Sequence, residues 1–207
     1  DRGQGTLLRG RGIGIGFKAS ISHTTAVAIV NVYADGSCSV YCNTVDMGQG
    51  SDTAMAQIAG ETLNMPAEAI KIIHADTAVT PFDMGTLGSR STYHMGNAVR
   101  LAAEDARDKQ FALAAELGLP AETTPLAEIF RKKYGMQAGN IVGIGTFNPH
   151  STPPDLATGQ SPDITPFWMV GGTGAEVEVD TETGHVRIIR LINVADLGTP
   201  INPGIVA

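Results

Sequence analysis

The chain is poor in cysteine, lacks any long apolar run and carries no surplus of positive charge, and each shortage removes a class of function. Cysteine occurs only as Cys38 and Cys42. Four apart in a strand-like run, they share a face at a spacing of about 13 Å, beyond disulfide reach, and read as buried free thiols of a reducing compartment. There is no CxxC and no cysteine run of the iron–sulfur kind, so any such cluster belongs to another domain or chain. No apolar run approaches the ~20 residues of a membrane span, and Asp1 to Gly5 has no signal-peptide core; the expectation is a soluble, cytoplasmic piece. The formal net charge of −7, with cations scattered apart from Arg131-Lys132-Lys133, argues against a nucleic-acid or anionic-membrane surface. That triplet reads as a solvated helix end.

Other chemistry is missing too. His23, His74, His94, His150 and His185 fall at no metal-ligand spacing, so no metal site is expected. The G-x-S-x-G elbow is absent and Ser89/Ser91 has no basic neighbour in sequence, which leaves nucleophilic hydrolysis unsupported. Gly10, Gly12, Gly14 and Gly16 lack the offset and the strand-turn-helix setting of a dinucleotide fold; they read as glycines on one side of a strand, permitting close packing. Glu176 and Glu178 alternate with valines and are expected in solvent, and Asp180 opens a turn, so no acid–base residue stands out.

What is present is enough to fold. With 207 residues and 43% hydrophobic content, the chain can bury a sizeable core as one domain or two small ones. Arg11 to Ser20 and Thr24 to Tyr33 read as strands, and Asp35-Gly36 as a two-residue hairpin turn into Ser37 to Asn43. Ala54/Met55, Ile58/Ala59 and Thr62/Leu63 form a helical stripe from about Asp52 to Asn64, stopped by Pro66. Ile70 to Ala75 alternates as a strand, and Tyr93 to Leu117 predicts a long helix with Val99, Ala102, Ala103 and Ala106 on one side, ended by Gly118. Thr124 to Tyr134 suggests a peripheral helix and Asn140 to Phe147 a strand. Five of the eleven prolines lie from Pro149 to Pro166, predicting an extended surface connection. Ala175 to Asp180 and His185 to Val194 form a last hairpin about Thr181 to Gly184. This order, without regular βαβ alternation, predicts an α+β fold of two layers, with helices on one face of a largely antiparallel sheet. The expected division is 1–148 as the main unit, 149–166 as the connection, and 167–207 as a hairpin segment of the same or an adjoining unit.

Two polar loops carry the functional signal. Met47-Gly48-Gln49-Gly50 and Gly85-Thr86-Leu87-Gly88-Ser89-Arg90-Ser91-Thr92 each end where a helix begins, so each can offer backbone N–H groups and the positive end of a helix dipole to an anion. Glycines allow close approach, Ser and Thr supply hydroxyls, Gln49 an amide, and Arg90 a planar fork for phosphate. Two such sites suggest a long, polyanionic ligand. The plain alternative is a pair of glycine-flanked helix starts, although Ser-Arg-Ser-Thr holds more donors than capping requires.

The run from Met47 to Ala59, then Asp76-Thr77, Thr80-Pro81, Gly88 to Thr92, Ala175 to Asp180 with Thr183-Gly184, and Asp196 to Pro203 resembles the molybdenum-cofactor-binding large subunit of the xanthine dehydrogenase, aldehyde oxidase and aerobic carbon monoxide dehydrogenase family. The resemblance covers nearly the whole chain in the family's order. It implies a cofactor-binding region of β-β-α-β-α-β units, with molybdopterin, as the cytosine dinucleotide, held by Gly48, Gln49, Gly50, Thr86, Gly88, Ser89, Arg90, Ser91 and Thr92. Thr86, Leu87 and Gly88 would lie nearest the metal. It further implies oxidative hydroxylation of a small-molecule substrate at carbon, iron–sulfur and FAD partner subunits or domains, and an oligomer of heteromers. The family's catalytic glutamate in Gly-x-Gly-Glu, its Gln-Gly-Gly-Phe-Gly-type loop and a Gly-Gln motif after Asn202-Pro203 are not in this sequence. The chain therefore reads as a fragment, inactive alone, with no catalytic residue assigned. A non-catalytic scaffold and a simple phosphate or nucleotide binder stand as alternatives.

Overall fold

The computed structural model describes residues 5–20, 23–74 and 76–206. The predicted strand end at Ala75 and the final Ala207 lie outside these. Among the described residues seven strands are distributed over two sheets: β1 (Leu7–Ala19), β2 (Ala26–Tyr33), β3 (Cys38–Tyr41), β4 (Ile70–Ile73), β5 (Asn140–Phe147), β6 (Trp168–Asp180) and β7 (Val186–Ala195). The helices are α1 (Ser51–Leu63), α2 (Gly96–Glu116), α3 (Leu126–Tyr134) and a short α4 (Pro203–Val206).

The main sheet has the order β4-β3-β2-β5 and is antiparallel except where β3 and β4 run parallel, joined by α1 as the crossover. Its first hairpin differs from the two-residue turn expected at Asp35-Gly36. Tyr33 N–H reaches Ser37 O at 2.9 Å, so Ala34, Asp35 and Gly36 all lie in the loop, with Gly36 taking the left-handed φ of 86°. Alternation in β2 buries Ala26, Ala28, Val30 and Val32 on one face. Helices α1 and α2 cover that face, enclosing Met55, Ala59, Val99 and Ala102 completely. In β5, a Cβ added at Gly143 or Gly145 would stand 2.0 and 2.1 Å from the carbonyl oxygens of Ala102 and Ala98, so α2 rests directly on the strand backbone. The two-layer α+β expectation therefore holds for this unit. Both cysteines are buried in it as free thiols, and burial pushes Cys38 up to about 12 and Cys42 up to about 11.

The second sheet, β1-β6-β7, overturns the expectation that β1 opens the same antiparallel sheet as β2. β1 pairs instead with β6 over its whole length, from Leu7↔Asp180 to Ala19↔Trp168. β1 and β2 do not pair, and nothing local fixes a partner so distant in sequence. The close packing expected of Gly10, Gly12, Gly14 and Gly16 is also absent, since no atom lies within 4 Å of where their Cβ atoms would be. On the other face Ile13, Ile15 and Phe17 are exposed. Glu178, expected in solvent, is 7% exposed and clamped between Arg9 and Arg187, whose hydrogen bonds hold its carboxyl below the usual range. Residues 148–167 form no helix or strand. Lys132 and Lys133 of the basic triplet tie α3 to the end of α2 through Leu117 O and Glu116. No described helix is long and apolar enough to cross a membrane.

Candidate functional site

The first loop is shaped by its own side chains. Asp46 accepts the Gly48 N–H at 2.8 Å and the Asp52 N–H at 3.2 Å, and these bonds, Gly48 first, hold its carboxyl below the ordinary range. A carboxylate thus already occupies part of the α1 start, where the sequence suggested space for a ligand anion. Gly48 and Gly50 adopt φ of 98° and 77°, conformations that need glycine. The Gln49 amide folds back, its Nε2 donating to Val45 O at 3.0 Å and its Oε1 accepting the Met47 N–H.

Thr86 joins this loop to the second one. Its Oγ1 accepts the Val45 N–H at 2.7 Å and donates to Val45 O at 3.0 Å, so one hydroxyl ties both polar groups of a residue across the gap. Arg90 departs from the exposed phosphate fork the sequence suggested. Its guanidinium Nη1 lies 2.5 Å from Asp83 Oδ1, with both side chains 0% exposed. Nη1 also donates to Gly85 O at 3.2 Å and Nη2 to Thr25 O at 3.3 Å. A buried arginine must be paired, and this one holds the loop from beneath. From outside, Ser20 Oγ donates to Gly88 O at 3.2 Å and Lys18 Nζ to Ser89 Oγ at 2.7 Å. Ser89 has a left-handed φ of 62°, which turns its side chain outward at the loop tip. Ser91 opens a single π-helical turn, Ser91–Met95, that runs into α2 with no side-chain cap, so its first-turn amides and hydroxyls remain available to a ligand.

Both loops face one cavity of about 870 Å³. Gln49, Thr86, Leu87, Gly88, Ser89, Ser91 and Thr92 line it, whereas Gly48, Gly50 and Arg90 do not. The sequence reading missed the opposite, largely apolar wall of Ile58, Tyr93, Phe167, Met169 and Ile201, together with Asn97 and Arg100. Tyr93 and Phe167 meet edge to face at 5.0 Å, and Arg100 is held by Glu104 at 2.6 Å. Phe167, Met169 and Ile201 come from beyond the proline-rich segment, and no local pattern ties them to the loops. One wall offers hydroxyls and backbone, the other flat apolar surface, in a volume suited to a small-molecule ligand. Among the described residues no group of three or more His, Cys, Asp or Glu side chains could hold a metal ion.

Such a cavity, beside a helix start on an α+β unit, defines a small-molecule-binding module with one polar and one apolar wall. Over residues 1–207 the chain matches the family described as molybdopterin cofactor-binding domain, and it belongs to that family. It is 34% identical over 195 residues to the probable hypoxanthine oxidase of Escherichia coli, covering 86% of this chain and 19% of that protein. To the carbon monoxide dehydrogenase large chain of Hydrogenophaga pseudoflava it is 31% identical over 188 residues, covering 86% of this chain and 23% of the relative. The crystal structure of the aldehyde oxidoreductase from Desulfovibrio desulfuricans superposes with a TM-score of 0.81 at 28% identity, covering 99% of this chain and 22% of that one. The chain thus spans about a fifth of the length of these relatives. Family membership disfavours the scaffold and simple phosphate-binder alternatives.

Proposed function

We propose that the 870 Å³ cavity holds part of the molybdopterin cofactor of a molybdenum hydroxylase, with this chain as one portion of the enzyme's large subunit. The observation that carries the reading is the double hydrogen bond of Thr86 to Val45, which fixes the two loops against one another so that both address a single ligand. The residues present fit such a group. Ser89, Ser91 and Thr92 offer hydroxyls to its oxygens, Gly88 leaves room for close approach, and Tyr93, Phe167 and Met169 provide flat apolar surface. Gln49 can turn its amide from its own backbone to a ligand without breaking any element.

When bound, the molybdenum centre supplies the oxidative hydroxylation chemistry. The chain's own contribution is to bind and orient the cofactor, and its apolar wall excludes water from one side. The cytosine dinucleotide form, iron–sulfur and flavin partners, a small-molecule substrate met near Thr86, Leu87 and Gly88, and a cytoplasmic location complete the proposal. Support comes from the family assignment and from relatives whose names include a carbon monoxide dehydrogenase large chain. Metal and pterin analysis of the full-length protein tests it. Stoichiometric molybdenum with a pterin dinucleotide is expected, and a Ser89→Ala/Ser91→Ala variant should lose both while still folding. A full-length protein free of pterin would refute the reading. The 207-residue chain alone should oxidise neither aldehydes nor purines with an artificial electron acceptor, because positioning part of a cofactor creates no proton acceptor.

A further inference from the structure

With Arg90 buried against Asp83, the cavity lacks the cation that the sequence offered it, and a different cation reaches one of its lining residues. Lys18, near the end of β1, pairs across the strands with Met169 of β6. Directly opposed residues of an antiparallel pair project to the same face, and Met169 lines the cavity, so Lys18 lies on the cavity side of β1, just outside the lining itself. Its Nζ reaches Ser89 Oγ at 2.7 Å and Ala19 O at 3.2 Å. An ammonium has three donors, and these contacts use two. No carboxylate pairs with Lys18 among the described residues, in contrast to Arg9, Arg11, Arg90, Arg100, Lys109 and Arg187. Among the described residues the only charged residue in the cavity wall, Arg100, is held by Glu104.

We propose that Lys18 is the cation that binds a phosphate oxygen of the ligand in this cavity, acting together with Ser89. Because Ser89 Oγ accepts from Lys18, its own hydroxyl proton is free to point at the ligand, and the pair presents two donors to one anionic group. The inference rests on the reading of the cavity as a cofactor site and adds a residue to it. A lone phosphate-directed lysine acts as a point charge and tolerates some shift of the group it meets, which suits the tip of a loop.

The test uses the full-length protein with Lys18→Gln, Lys18→Arg and, as a control, Lys71→Gln at an exposed lysine that lines none of the cavities described. Molybdenum and pterin content are measured on each purified protein, and inorganic pyrophosphate is titrated into each metal-free form. Loss of one charge-assisted contact should weaken pyrophosphate binding roughly ten- to hundredfold in Lys18→Gln. Cofactor content should fall with it, while Lys18→Arg retains most of both and Lys71→Gln matches the parent. Melting temperatures of the metal-free proteins should agree, since Lys18 is exposed. Unchanged pyrophosphate binding and cofactor content in Lys18→Gln would overturn the proposal, as would a variant whose sole defect is a raised KM for substrate. A parent protein devoid of pterin would instead defeat the cofactor reading, and this inference with it.

Discussion

Replacing Arg90 by alanine separates an exposed ligand-binding arginine from a buried structural one, because the two roles differ several-fold in free energy. An arginine in solvent beside a helix start would change stability by no more than about 0.5 kcal/mol when truncated. Here the guanidinium and the Asp83 carboxylate have no exposed surface, and Arg90 also satisfies the carbonyls of Gly85 and Thr25. Removing one partner of a buried pair leaves the other charged and unsolvated, at a cost of about 3–5 kcal/mol, a large share of the 5–15 kcal/mol that typically separates folded from unfolded protein. Urea denaturation of the metal-free protein should therefore show a large fall in midpoint for Arg90→Ala. Adding Asp83→Asn should recover part of the loss, because it removes the orphaned charge; that positive coupling is the signature of the pair. If Arg90→Ala denatures within about 0.5 kcal/mol of the parent, the pair does not hold the loop and the exposed fork is restored as the better account.

Gly145→Ala should destabilise by about 3 kcal/mol or more in the same denaturation assay, because its Cβ would fall 2.1 Å from Ala98 O and 2.3 Å from Ala102 N, backbone atoms that cannot swing aside. Cys38 and Cys42 should resist a thiol reagent until the chain unfolds. Their folded values of about 12 and about 11 lie above the ordinary 9.0, so the unfolded chain releases these protons first. Their contribution to stability is therefore intact below about pH 9 and declines above it by about 1.4 kcal/mol per pH unit for each thiol, until the folded values are reached. A Cys38→Ala/Cys42→Ala variant whose stability falls just as steeply between pH 9 and pH 11 would refute that assignment.

Much of the fold was legible because its signals are local. The alanine face of α2 carries its own period, Pro66 and Gly118 stop α1 and α2, and the bounds of β5 follow from apolar residues between turn formers. The partner of β1 was not legible, since pairing across more than a hundred residues leaves no trace in either strand. Instead, the sequential proximity of β2 suggested a single sheet. That the two loops come together was legible, since both are polar, glycine-flanked helix starts, and residues of both line one cavity. The role of Arg90 was not: an arginine among serines reads as a ligand contact unless its acid is recognised, and Asp83 sits seven residues away with no periodic relation to it.

The charge balance around the cavity bears on whether a chain of net charge −7 suits the phosphate-bearing ligand proposed above. Three aspartates lie close to the two loops, and each is spent internally. Asp46 is taken by the amides of Gly48 and Asp52, Asp52 pairs with His74 Nε2 at 3.1 Å, and Asp83 faces Arg90. Backbone N–H groups, an imidazole and a buried guanidinium thus engage these acids where they stand, at short range and partly out of water, where screening by salt is weak. On α2 and β6, Glu104, Asp105 and Glu178 are engaged with Arg100, Lys109, Arg9 and Arg187. Among the described residues the Lys18 ammonium has no carboxylate partner, so on the proposed reading a ligand at the cavity edge would meet one lysine and the start of a helix rather than the sum of charges over the chain.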